Sequence, residues 1–149
     1  MSVNDSAAAL IEQLGLTAHP EGGWYKETWR GAPGPDGRAS GTAIIFLLRA
    51  GEASHWHTVD AAEMWLWQAG DPVELRLSAT DAGTARSVIL GADMAQGQQL
   101  QGLVAPGEWQ AARPFGAPHF GYSLVSCVVV PGFDFDGFTL APPGWEPGQ

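Results

Sequence analysis

The sequence predicts an all-β domain, and three observations carry that prediction. Twenty glycines and eleven prolines are scattered along the 149 residues, so the chain is interrupted every few positions and long helices have little room. Between the interruptions lie short runs rich in β-branched, aromatic or alternating apolar residues. Hydrophobic residues make up 45% of the chain and Cys127 is its one cysteine, so a packed core, with no intramolecular disulfide, must hold the strands together.

Taken in order, the elements begin with a helix expected over residues 6–14, capped by Asn4 or Asp5. Leu10, Ile11 and Leu14 form its apolar face and Gly15 stops it. Strands are expected at residues 23–30, 42–48, 63–68, 73–78, 86–90, 98–104, 108–113 and 122–130, each bounded by Gly, Pro or Asp turns. Residues 31–41, GAPGPDGRASG, have the composition of a mobile surface connection, and residues 141–149 read as an irregular tail. Eight short strands suit a barrel or sandwich, and residues 1–149 suit one domain.

Charge narrows the partners. Sixteen acidic residues against seven basic ones give a net charge of −9, which repels the phosphate backbone that basic side chains must neutralise in a nucleic-acid complex. With Lys26 as the single lysine there is no basic amphipathic stretch to dock on an anionic membrane. Residues 1–16 lack the charged start and cleavage site of a secretory signal, and no apolar run approaches a membrane span. The expectation is a soluble, cytoplasmic protein acting on a small molecule, without nucleic-acid or membrane partners.

Chemistry concentrates in one segment. His55 and His57 flank Trp56, and residues two apart on an extended chain point to one face. Glu63, Trp65 and Trp67 share a face of the next strand, so two imidazoles, a carboxylate and two indole walls could meet in one interior. Two histidines and a carboxylate suit Fe, Mn, Ni or Zn and leave coordination positions open. A His-x-His pair on a strand also serves simply as two half-buried, hydrogen-bonded side chains.

The surrounding spacing is informative. Gly51, His55, His57, Glu63 and Gly70 resemble the first motif of the cupin superfamily, and Pro106-Gly107-Glu108-Trp109-Gln110 resembles the second. His19-Pro20-Glu21-Gly22-Gly23-Trp24-Tyr25, Ser54-His55-Trp56-His57 with Asp60 and Glu63, and Cys127 to Phe135 are similar to a small single-domain family, cupin-like family five. The resemblance spans about residues 14–140. It implies a double-stranded β-helix, or jelly-roll, barrel, a divalent metal on His55, His57, Glu63 and Gln110, and a homodimer formed by sheet-to-sheet contact. Gln110 stands where the general pattern has histidine, and an amide oxygen is a weaker ligand than imidazole.

Tyr25 and Glu27 share a face of their strand and, with Trp65 and Trp67, are candidates for a substrate pocket. His119 and Tyr122 are candidate acid–base groups, which an irregular turn at Gly121 would have to bring together. Cys127 reads as a small buried hydrophobe, and Arg49, Arg76 or Arg113 in the pocket would select an anionic substrate. The expected function is metal-assisted isomerisation or epimerisation of a small polar, sugar-like molecule. An Fe(II) oxygenase on the same ligands and a metal-free binding module are the competing expectations.

Overall fold

A computed structural model describes residues 3–149. Helix α1 (Val3–Leu14) begins ahead of the expected start, so Asn4 and Asp5 fall within it; their side chains, expected as caps, lie outside what is described. Eleven strands follow: β1 (Thr17–Ala18), β2 (Trp24–Arg30), β3 (Thr42–Arg49), β4 (Ser54–Val59), β5 (Ala62–Gly70), β6 (Val73–Ser78), β7 (Arg86–Leu90), β8 (Gln101–Val104), β9 (Trp109–Pro114), β10 (Tyr122–Val130) and β11 (Phe138–Leu140). All eight expected strands are present, with β8 starting three residues later than residue 98; β1, β4 and β11 are additional. Among the described residues no helix is long and apolar enough to cross a membrane.

The strands form two antiparallel sheets, one ordered β1-β2-β3-β10-β5-β8 and the other β11-β4-β9-β6-β7. Their facing surfaces make the jelly roll. Alternation is clear on β10, where Ser123, Val125, Cys127 and Val129 are buried and the residues between them are not, because successive side chains leave opposite faces of a pleated strand. Register then stacks these residues across the sheet: Cys127 pairs with Ile44 and Trp65, and Val125 with Phe46 and Trp67. From the other sheet, Val73, Leu75, Leu77 and Ala112 complete one core. Each large side chain buried there contributes roughly 1.5–3 kcal/mol of transfer free energy.

Two segments are more ordered than their composition suggests. Residues 31–41 form a hairpin closed by a Pro33–Ala39 bridge. Arg38 pins it, donating to both carboxylate oxygens of Asp60 (2.7 and 3.0 Å) and to the Gly132 carbonyl (2.7 Å). The expected mobile connection is therefore a tethered one, since the charge-assisted fork offsets the lack of apolar residues. The tail after β11 has no regular structure, as expected, yet Trp145 packs 4.4 Å from Trp109 and 6.4 Å from Trp56 on the outside of the five-stranded sheet.

Between β1 and β2 the chain reverses through Gly22 and Gly23, whose φ values are +108° and +78°. A Cβ on Gly22 would run into the Ala53 carbonyl oxygen just before β4. The close approach lets His55 N–H donate to the Glu21 carbonyl at 2.7 Å, tying the turn to the opposite sheet. Gly22→Ala is expected to cost about 3 kcal/mol, from left-handed strain plus overpacking. Gly51→Ala, with φ +86° and open space around it, is expected to cost about 1–2 kcal/mol. Urea unfolding of both variants checks this; equal costs would contradict the close approach.

Candidate functional site

Between the sheets, the half not filled by core residues holds a cavity of about 480 Å³, a size suited to a small molecule. Glu63 and Cys127 face it from one sheet and His57 from the other, while His19 and Glu21 enter from the turn before β2.

The two histidines of the His-x-His segment separate. Ser54 pairs with Ala112 and His57 with Gln110, so three steps along β4 oppose two along β9. This bulge inserts one residue and breaks the two-residue alternation. His57 consequently faces inward and is 2% exposed. His55 turns out, where its Nε2 lies 2.9 Å from the Pro142 carbonyl oxygen. The expectation that both imidazoles share a face is corrected by this register shift.

In place of His55, the inward partner of His57 is Glu21. Its Oε2 lies 2.8 Å from His57 Nε2, and His57 Nδ1 donates to the His55 carbonyl at 2.7 Å. Burial opposes a charge on the imidazole, but the Glu21 carboxylate, with help from Glu63, outweighs it and lifts the His57 pKa to about 9. Burial likewise works against ionised Glu21, yet the His57 charge and hydrogen bond hold its carboxyl below the ordinary value. The two form a buried ion pair at neutral pH.

Glu63 has different surroundings. Gln110 Nε2 donates to its Oε1 at 2.9 Å, while Gln110 Oε1 accepts from Trp65 Nε1 at 2.9 Å. An indole N–H can only donate, so the orientation of the Gln110 amide is fixed. The Cys127 thiol faces the same carboxylate and favours its charged form. Burial is the main cause of a Glu63 pKa of about 7; the His57 charge pulls it down, Glu21 pushes it up, and the Gln110 bond and the Cys127 thiol partly offset the rise. The Cys127 thiol, buried beside two carboxylates, is held well above its usual value, so Cys127 is inert as well as buried.

The expected metal donors therefore do not fit a metal. Both nitrogens of His57 are committed to oxygen acceptors, the Gln110 oxygen is taken by Trp65, and His55 is outside. Among the described residues no group of three or more His, Cys, Asp or Glu side chains could hold a metal ion.

The remaining candidates divide. Tyr25 and Glu27 line the cavity, Glu27 at its mouth in an ion pair with Arg30 (2.8 Å). Trp65 is buried in the core and Trp67 packs against that core; their side chains support the wall rather than form it, because the core residues fill the space beside them. His119 is exposed and packs edge-on against Phe120 at 4.8 Å, and Tyr122 lies near the same ring. Gly121 does turn with φ +84°, but Asp71 accepts the backbone N–H groups of residues 119–121 and holds that turn at the opposite end of β10. Five residues separate Tyr122 from Cys127, about 17 Å of strand, too far for joint action at this cavity. Arg49, Arg76 and Arg113 pair with Glu52, Glu146 and Glu74 and do not line it. His19 and Glu21 were visible in the sequence only as part of the HPEGG pattern; the double glycine was the signal of a tight reversal.

The family model Cupin_5, described as Cupin superfamily (DUF985), matches residues 8–141. A hypothetical protein from Leishmania major is 36% identical, with a TM-score of 0.81 over 91% of this chain and 86% of that one. A protein from Shewanella oneidensis is 38% identical, with a TM-score of 0.83 over 91% of this chain and 84% of that one. At the level of fold alone, oxalate decarboxylase of Bacillus subtilis aligns at 12% identity and a TM-score of 0.61, over 83% of this chain and 29% of that one. No curated protein matches.

The ionisations of the site have a signature in stability. A folded His57 near 9 against an ordinary 6.5 keeps its proton where the unfolded chain has lost it, so its contribution is complete below pH 6.5 and disappears as pH rises through 9. Glu63 near 7 against 4.5 acts with the same sign between those values. The melting temperature is expected to fall as pH rises from about 6 to above 9, and His57→Gln is expected to flatten the upper part of that fall. A wild-type melting temperature that is flat or rising over the alkaline half would contradict the pairing.

Proposed function

This chain belongs to the Cupin_5 family of the cupin superfamily, and on that premise we propose that it is an isomerase- or epimerase-type enzyme that moves a proton on a small, polar, sugar-like carbonyl compound. The observation that carries the proposal is a pair of carboxylates in one cavity with ionisations pushed apart, Glu21 lowered and Glu63 raised to about 7. Such separation assigns distinct roles to chemically identical groups. Glu63, balanced between its two forms at neutral pH, takes and returns the proton. Glu21 stays ionised and holds the His57 imidazolium, whose positive charge favours the anion that develops on the substrate. Of the two basic side chains that line the cavity, Lys26 and Arg30, Arg30 is already paired with Glu27.

Proton transfer by protein side chains replaces the Lewis-acid step expected from the sequence, because the expected donors serve one another. The Fe(II) oxygenase reading loses its ligand set for the same reason. A binding module without chemistry is the second reading, favoured by the full internal pairing of Gln110 with Trp65 and Glu63.

The test is incubation with a panel of aldoses and ketoses in deuterium oxide. Deuterium is expected at the carbon beside the carbonyl of a member of the panel, and Glu63→Gln should slow its appearance by about 100-fold or more. Sugars that raise the melting temperature without any exchange would favour the binding module and overturn the enzyme proposal.

A further inference from the structure

His19 is 6% exposed at its side chain and lines the cavity. Its Nδ1 accepts the Glu21 backbone N–H at 3.1 Å. A main-chain N–H can only donate, so Nδ1 carries the lone pair and the proton of the neutral ring sits on Nε2. Among the described residues the hydrogen bond of the His19 ring is the one at Nδ1, which leaves Nε2–H to meet a partner in the cavity that the ring lines. Rings of Tyr25, Phe46, Phe138 and Phe135 surround the imidazole at 4.5, 6.0, 6.1 and 6.4 Å, fixing its plane and leaving the cavity as the place where a polar partner can be met. A second proton is opposed first by burial and also by the His57 charge, against the pull of Glu21, so the His19 pKa lies below its ordinary value. A second proton on Nδ1 would also break the bond from the Glu21 N–H.

We infer that His19 is a catalytic hydrogen-bond donor, a neutral imidazole whose Nε2–H holds the carbonyl oxygen of an α-hydroxy carbonyl substrate. The inference rests on the proton-transfer reading and adds to it the group that receives the developing negative charge. As ionised Glu63 takes the proton from the carbon beside the carbonyl, the C–H electron pair becomes a C=C bond and the carbonyl π pair moves onto oxygen. The resulting enolate oxygen is held by Nε2–H; Glu63 then returns its proton to the neighbouring, hydroxyl-bearing carbon while that hydroxyl's proton passes to the enolate oxygen, so the carbonyl moves one position along the substrate. Atoms and charge balance without any co-reactant. A neutral donor suits this task, because it can stay in place through both half-reactions without first giving up a proton.

The probe is glycolohydroxamate, a small planar mimic of an enediolate. Imidazole ¹⁵N spectra of the free protein are expected to place the His19 proton on Nε2, and the probe should shift that resonance. His19→Phe, which keeps an aromatic ring and removes the donor, should weaken probe binding about tenfold or more, while His19→Gln should restore it to within about threefold of wild type. Glu63→Gln should slow deuterium exchange by about 100-fold or more while leaving the His19 proton on Nε2 in the ¹⁵N spectrum, so the donor and the base are tested separately. A proton on Nδ1, no binding of the probe to wild type, or a folded His19→Phe that binds as wild type does would each overturn the inference. Should His19→Phe fail to fold, the ¹⁵N assignment and the Gln variant decide.

Discussion

Glu21 and His57 meet at 2.8 Å where both side chains are less than a tenth exposed, and either charge left there without the other would cost several kcal/mol. That constraint explains why the turn before β2 is built as it is. Glu21 must cross from the rim of one sheet to the inner face of the other, and the Gly22-Gly23 reversal with its close approach to Ala53 brings it there. The backbone bond from His55 to the Glu21 carbonyl fixes the crossing at a second point. One ion pair thus joins the turn, β4 and the cavity wall.

The pair also decides the electrostatics of its neighbours. Glu63 feels repulsion from Glu21 and attraction to His57 in the same low-dielectric space, and burial tips it towards its neutral form. Gln110 then makes structural sense: its amide N–H donates to Glu63 and its oxygen accepts from Trp65, a relay that an unprotonated histidine could make only as the matching tautomer and an imidazolium not at all. The residue that looked like a weakened ligand in the sequence is an orienting group. His19, kept neutral by burial among its aromatic walls and by the Glu21 N–H, completes a site that sets a neutral imidazole beside the anionic Glu21, the cationic His57 and the titrating Glu63.

Much of this fold was legible beforehand because its signals are local. Glycine and proline punctuation located the eight expected strands, and the apolar surroundings of Cys127 marked it as buried. The bulge in β4 was not legible, since it depends on how Ser54 and His57 align with a strand more than fifty residues away. With it went the inference that His55 and His57 converge, for a single extra residue sends alternate side chains to opposite faces. Trp65 and Trp67 were placed on the correct face but at the wrong depth, because alternation gives direction and not distance from the cavity. Glu21 and His19 sat in a recognisable pattern, yet their role arises only when the turn is folded against β4.

The net charge of −9 that seemed only to exclude partners now bears on the site, since the cavity's acidic groups lie in the field of the whole acidic surface and the imidazolium of His57 is what offsets it locally. His57 is therefore charged by Glu21 and is not a free metal ligand. Imidazole ¹⁵N chemical shifts of His57 at neutral pH read this state out. Protonation of both ring nitrogens, persisting until the pH nears 9, is the predicted result; a neutral ring with one unprotonated nitrogen at pH 7 would contradict it.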